Sequence, residues 1–426
     1  MGLTAIEKII SNHAGKQVHA GDLVIASVDA VMAQDGNAPL AIKILKEELG
    51  ASQTFDHKKV ILVIDHCGPS PNEGASNLQQ MMRDFSKEYG ATLYDAGEGI
   101  SHVLLPEQGH AQPGKLIVGS DSHSVTYGAV NCFGTGMGST DIATAMYTGK
   151  VWMRVPETIK VALTGRLPDS VSAKDLALHL VRLIGVSGAT YKCVEISGDG
   201  LTTLNMDNRF TICNMAIEMG AKCTLMPVDD ICRQYLEERN DEVPDMVWSD
   251  PDCSYDGIFE VDLSKIEPLV ALPHDLTKIV SIRSTIEQNI NMAFIGTCTN
   301  SRISDLEEAA NVLRSHKINP GVRLIITPGS RSTYLEAVRK GYVDVFITAG
   351  AIVTPPGCGP CVGTHLGIPG DSDVVISTAN RNFKGRMGNP QSSIILASPA
   401  TVAASAILGK VGSAEEVSRE LTRQSS

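Results

Sequence analysis

Of the ten cysteines in this chain, only Cys358 and Cys361 are closely spaced, in GAIVTPPGCGPCVGTHLG, and Cys298 stands sixty residues earlier in FIGTCTNSRISDLEEAANVL. Four chemistries compete for such thiols. Buried reduced thiols suit the other seven cysteines but fit poorly a CxxC flanked by glycines and prolines. A dithiol redox pair needs only Cys358 and Cys361, with the first thiol activated. A structural zinc site wants four ligands, and His365 alone is near. A [4Fe–4S] cluster usually takes four cysteines; three leave one iron open, as a Lewis-acid cluster requires and an electron carrier avoids.

A second set of residues suits proton transfer. Asp65-His66 in VIDHCGPS and Asp121-Ser122-His123 in VGSDSHSVTYG are two Asp–His pairs, and His102 lies in GISHVLLPEQG. A carboxylate beside histidine fixes the tautomer and raises ring basicity. Asn380, Arg381 and Arg386 in STANRNFKGRMGNP form a local cationic group, and arginine's planar fork matches a carboxylate in a way that lysine cannot.

The elements needed to position these groups are legible as alternating apolar runs and amphipathic segments, the pattern of α/β domains with largely parallel sheets. Strands are expected within 58–65, 115–120, 158–165, 290–296, 323–329, 343–350 and 373–378. Several end in polar loops, which is where ligands bind in open α/β sheets. Thr4 with Glu7 predicts a capping box for an opening helix, and Ser304 with Glu307 another after Cys298. FGTGMGSTDIATAM does not fit GxGxxG, since Ser139 fills the last glycine position; with no clear strand before it, it reads as a loop feeding a helix N-terminus. The acidic stretch 238–257 reads as a surface connection.

Bulk properties narrow the classes. A 426-residue chain that is 43% hydrophobic can build several cores. The formal net charge of -12 opposes nucleic-acid and anionic-lipid binding, no run reaches the ~18 apolar residues of a membrane span, and no signal peptide is evident. The expectation is a cytoplasmic enzyme with reduced thiols.

Taken together, GTCTNSR, CGPC, the DH, IxH and DSH segments and NRN-x-x-GR resemble the motifs of the aconitase/isopropylmalate isomerase family, in the family's order. The resemblance runs from the first helix to SSIILASPATVAASAILGKVG. It implies three α/β domains of the aconitase large-subunit type arranged around an iron-sulfur cluster, at 1–157, 158–282 and 283–426. It further implies one [4Fe–4S] cluster on Cys298, Cys358 and Cys361, with one open iron. Asp65, His66, His102, Asp121 and His123 become acid–base residues, as does Glu195, ahead of the TICNM segment at 211–215. Gln34, Ser122, Asn380, Arg381 and Arg386 become substrate-binding residues.

The implied activity is a hydro-lyase acting on a small hydroxy acid, foremost the interconversion of 3-isopropylmalate and 2-isopropylmalate in leucine biosynthesis. Ser301 and Gln34 are closer to aconitase-like chains, so 2,3-dimethylmalate, citramalate, maleate and homoaconitate stay as alternatives. Single-chain members carry a fourth, swivelling domain with a serine base; here the expectation is a separate small subunit that supplies it. Two readings from other classes remain: a CGPC dithiol oxidoreductase, and an iron-dependent RNA-binding regulator, which the charge disfavours.

Overall fold

The computed structural model describes residues 2–285 and 288–424, with side chains as far as Arg419. By compactness the chain divides into two units: 1–96, 101–166 and 187–262 form the first, and 97–100, 167–186 and 263–426 the second.

The first unit holds a five-stranded sheet ordered Thr92–Tyr94, Val60–Val63, Ala30–Gln34, Leu116–Gly119, Phe133–Gly136. Every neighbouring pair is parallel, so all five carboxyl ends share one edge. Val60–Val63 and Leu116–Gly119 are buried along their whole length, as expected of parallel strands covered on both faces. The central strand, Ala30–Gln34, is one that the sequence reading did not single out. Phe133–Gly136 is also a strand, so the glycine-rich segment is not merely a loop: its glycines let the sheet edge pass close to neighbouring backbone, and a Cβ on Gly134 would lie 2.0 Å from the Ser124 carbonyl oxygen. A four-stranded parallel sheet follows, ordered Cys223–Leu225, Cys193–Ser197, Thr158–Thr164, Gly257–Asp262. The opening helix Ala5–Ala14 has the expected capping box, with Thr4 and Glu7 satisfying each other's backbone amides.

The second unit is built on a seven-stranded sheet in which five strands are parallel: Ser393–Leu396, Val374–Ser377, Met292–Ile295, Arg323–Ile326 and Ile352–Val353. Leu269–Ala271 and Ile279–Ser281 extend it antiparallel. Its core gathers Ala293, Ile295, Leu306, Leu324, Ile376 and Val402 with their neighbours.

Two local expectations are overturned here. Residues 343–350 are not a strand: Tyr342–Ala349 is a helix, and its buried positions, Tyr342, Phe346 and Ala349, follow helical spacing. The helix after Cys298 is Ile303–Leu313, with its N-cap at Arg302, two residues ahead of a Ser304–Glu307 box; Asp305 accepts from the Arg302 backbone N–H at 2.9 Å and so fixes its start.

Candidate active site

In the first unit the loops at the shared carboxyl edge carry nearly all the proton-transfer candidates. Asp35, directly after the central strand, ties down the turn beyond the neighbouring one. Its Oδ1 accepts from the backbone N–H groups of Asp65 and His66, at 3.2 and 2.8 Å, and its Oδ2 from that of Cys67 at 2.9 Å. Burial and the charge of Asp65 push the Asp35 carboxyl up. Asp65 is buried and spans two segments, with Oδ1 2.6 Å from His66 Nδ1 and Oδ2 accepting from the Ser101 N–H at 2.7 Å. Ser101 opens the short helix that carries His102.

Asp121 is the hub. His102 Nε2 lies 2.9 Å from Oδ1, the His123 backbone N–H donates to the same oxygen at 2.8 Å, His123 Nδ1 is 3.3 Å away, and His66 Nε2 is 3.6 Å from Oδ2. Burial would raise this carboxyl, but the three histidines overcome that and hold it well below the usual carboxylate range. Behind His102, the Tyr127 hydroxyl is 3.1 Å from Nδ1. Burial and the Asp121 charge push its phenol well up, so it stays protonated; ionised Asp121 can only accept, which puts a His102 proton on Nε2. Ser122 Oγ is 3.4 Å from His123 Nδ1.

The three histidines differ in access. The His66 side chain is 16% exposed, against 2% for His102 and 4% for His123. His66 is therefore the ring that a substrate can reach most directly. Gln34 ends the central strand; its backbone N–H donates to Ser120 Oγ and its side-chain oxygen accepts from the Gly36 N–H.

In the second unit the three cysteines and the NRNFKGR segment occupy loops following parallel strands. Cys298 comes three residues after Met292–Ile295 and is buried, as are Cys358 and Cys361. Thr297, just before it, adopts φ 75°, a conformation that costs a β-branched residue on the order of 1–3 kcal/mol and that persists where the surroundings impose it. Asn380 Nδ2 donates to Cys298 Sγ at 3.4 Å, and Arg386 Nη2 to Cys361 Sγ at 3.4 Å. An amide N–H and a guanidinium aimed at sulfur suit a sulfur bearing negative charge, the form in which cysteine binds metal. The Oδ1 of Asn380 and the Oγ of Ser301 are buried without hydrogen-bond partners among the described residues. Such orphans are costly in a finished interior and fit a site that holds a polar or ionic group. These thiols and donors fit an iron-sulfur cluster.

The backbone between these loops is tightly fixed. Lys174, fully buried, donates from Nζ to the carbonyls of Thr378 and Ala379 at 2.8 and 2.7 Å, which sets the entry to Asn380 and Arg381. Gly363, two residues past Cys361, has φ +71°, and a Cβ there would lie 2.1 Å from the Gly388 nitrogen. The CGPC and NRNFKGR loops therefore touch backbone to backbone. Arg381 is partly exposed in the same loop.

The sequence model of the aconitase family (aconitate hydratase) matches residues 7–291 and 284–409. The chain belongs to the aconitase family. It is 48% identical over 415 residues to the 3-isopropylmalate dehydratase large subunit 1 of Thermotoga maritima, covering 96% of this chain and 98% of that protein. It is 45% identical to the large subunit from Elusimicrobium minutum, with 98% and 100% covered, and 45% identical to that from Aquifex aeolicus, with 98% of each covered. Among solved structures, the holo form of Thermococcus kodakaraensis aconitase X aligns with TM-score 0.50 and 14% identity over 88% of this chain and 89% of that one. That likeness concerns the fold, an aconitase-type assembly of α/β domains.

Two glutamates of the first unit are placed differently. Glu195 does not join the histidines: it is fully buried on Cys193–Ser197, accepting from Ser249 Oγ at 2.5 Å and the Tyr255 hydroxyl at 2.7 Å. Ser249 in turn accepts the Ala5 backbone N–H, so Glu195 fastens the chain's start to this sheet. Burial pushes its carboxyl up, against those hydrogen bonds. A different carboxylate, Glu218, does meet the histidines, with Oε1 3.0 Å from His123 Nε2. It lies three residues beyond the TICNM segment, a charged residue between Ile217 and Met219, and that oddity is the only local signal of it. Asp35 and Tyr127 are likewise site residues that the motifs did not mark. No described helix is long and apolar enough to cross a membrane.

Proposed function

We propose that this chain is the cluster-bearing large subunit of a hydro-lyase that interconverts 3-isopropylmalate and 2-isopropylmalate through loss and re-addition of water. The observation that carries the reading is the trio of buried thiols in strand-end loops, two of them hydrogen-bonded by Asn380 and Arg386, with partnerless Asn380 Oδ1 and Ser301 Oγ beside them. The substrate is taken from the relatives, whose full-length similarity supports it. Cys298, Cys358 and Cys361 would hold one [4Fe–4S] cluster, which supplies a Lewis-acid iron for the departing hydroxyl.

The chain's own residues supply the proton inventory and the anion binding. His66 keeps its Nδ1–H on Asp65, so its Nε2 is the atom that gives a proton to the leaving oxygen and recovers it on rehydration. Asp121 holds His66, His102 and His123 in register and stabilises whichever ring is charged. Glu218 orients His123 through Nε2. Arg381 clamps a substrate carboxylate, and Ser122 and Gln34 add polar contacts. Asn380 and Arg386 serve the thiols first and the substrate second. A separate small subunit would carry the swivelling domain and the serine that takes the proton from carbon. The three-domain division at 157 and 282 is kept as part of this reading.

Anaerobic purification with iron and sulfide analysis tests it. A brown protein with close to four irons and four sulfides, lost in Cys298→Ser, is the expected result. A colourless protein that stays iron-free after reconstitution would refute the mechanism and favour the dithiol reading, which is indifferent to Cys298.

A further inference from the structure

Within the first unit, a cavity of about 450 Å³ lies at the carboxyl edge of the five-stranded sheet. Ser122 and the end of Phe133–Gly136 supply one part of its lining, and the segment around Ile217 and Lys222 another. It adjoins the histidines on two sides in sequence: Ser122 stands between Asp121 and His123, and Ile217 precedes Glu218, the partner of His123. Lys222 is the one charged residue in the lining among the described residues; Met137, Ile217 and Ala221 make it largely apolar.

Lys222 therefore sets the chemistry of this cavity. Its Nζ sits between two lining residues, 3.3 Å from the Gly136 carbonyl oxygen and 5.5 Å from the centroid of the Tyr191 ring. A hydrogen bond of that length is weak, and an ammonium has three donors to place. Among the described residues Lys222 has no ion-pair partner, and Asp141 acts on it only through space. Burial pushes the ammonium down from the usual lysine range, as expected of a cation that has lost water without gaining an anion. Tyr191 is held there at some strain: it adopts φ 60°, a conformation that costs a non-glycine residue on the order of 1–3 kcal/mol. The other charge against its ring is again positive, the Arg154 guanidinium at 4.8 Å.

We infer that this cavity binds a carboxylate carrying a short branched apolar chain, its oxygens on Lys222 Nζ and its chain against Met137, Ile217 and Ala221. An anion supplies the missing counter-charge, and an apolar chain suits the walls. A neutral alcohol leaves the ammonium unmatched, and an amine is repelled by it. Two sources share this chemistry: one end of the dicarboxylate substrate, or a separate monocarboxylate lying beside it. Only the first source rests on the proposed function.

Calorimetry on the full chain tests the site, with isovalerate, isoamyl alcohol and isoamylammonium as probes. One isovalerate per chain is expected, with the alcohol and the ammonium binding far more weakly. Lys222→Met keeps the apolar stem and removes the charge, and should weaken isovalerate roughly tenfold or more, the loss of one charge-assisted hydrogen bond. Lys222→Arg should retain most of the affinity. Ile217→Asn leaves the ammonium in place and should weaken binding severalfold, which covers the case of a Lys222→Met chain that folds poorly. Kinetics of the assembled enzyme then separate the sources. If Lys222→Met raises KM for 3-isopropylmalate by about the factor lost for isovalerate, the ligand is the substrate; if KM is unchanged while isovalerate binding is lost, it is a separate acid. No isovalerate binding, or an affinity that neither Lys222→Met nor Ile217→Asn lowers, would overturn the inference. Because binding is read without turnover or iron, its failure and that of the cluster assay are distinguishable.

Discussion

Asp121→Asn is the sharpest single test of the proton-transfer assignment. The asparagine keeps the shape of the side chain, and its carbonyl can still accept the His123 N–H and His102 Nε2, which sit 2.8 and 2.9 Å from Oδ1. What disappears is the negative charge that three rings share. A hydrogen bond to an ionised group is worth about 1.5–3 kcal/mol. Two of the three ring contacts are within 3.3 Å and the third, to His66, is longer at 3.6 Å. A charged imidazole should therefore lose about 2–4 kcal/mol of stabilisation, roughly 30- to 1000-fold in kcat/KM. The assay is turnover of 3-isopropylmalate by the assembled enzyme, with iron content and circular dichroism as controls. The pH profile of kcat/KM should also change. Turnover within about threefold of wild type, at normal iron content, would refute a hub role for Asp121.

The other predictions separate residues that look alike in sequence. Glu218→Gln should lower kcat/KM by at least about tenfold by removing the partner of His123, whereas Glu195→Gln should leave kcat/KM nearly unchanged and lower the melting temperature. Gly363→Ala should release iron while Arg381→Lys retains iron but raises KM, because the first forces the CGPC loop off Gly388 and the second only replaces a fork with a point charge. Asp229→Ala should destabilise the fold by about 3–5 kcal/mol, since it removes the ion-pair partner of the buried guanidinium of Arg209, now held at 2.6 and 2.7 Å, and leaves it only the Leu201 and Leu204 carbonyls. The same pair gives a pH signature in denaturation. Arg209 holds the Asp229 carboxyl down, although burial opposes it; the contribution is complete above the unfolded pKa and falls away as pH drops through the folded one, and wild type but not Asp229→Ala should show that acid-side loss.

The residues whose chemistry is written in short range were legible. CxxC, Asp-His and Asp-Ser-His each place two reactive groups within four residues, and the structure sets them on loops at strand ends. Strand runs such as 60–63, 116–119 and 374–377 were legible because burial on both faces demands unbroken apolar stretches. The segment 343–350 misled for a related reason: Val343, Val345 and Ile347 look strand-forming, yet burial of Tyr342, Phe346 and Ala349 decides the helix, a case of packing overriding propensity.

Glu195 and Glu218 show where local reading ends. Both are carboxylates among apolar neighbours, twenty-three positions apart, and either could have been the one that meets a histidine. What separates them is long range. Glu195 is answered by Ser249 and Tyr255, 54 and 60 residues further on, while Glu218 is answered by His123, 95 residues earlier. A buried carboxylate must find donors somewhere, and only the folded chain decides whether those donors are hydroxyls that pin a strand or an imidazole that carries a proton. Asp35 follows the same rule, since its work on the Asp65-His66 turn depends on two parallel strands being neighbours. Substituting Asp35 by Asn should therefore disturb His66 although the two never touch a common motif, and a shift in the pH dependence of turnover, larger than that for Glu195→Gln, is the measurement that would expose the link.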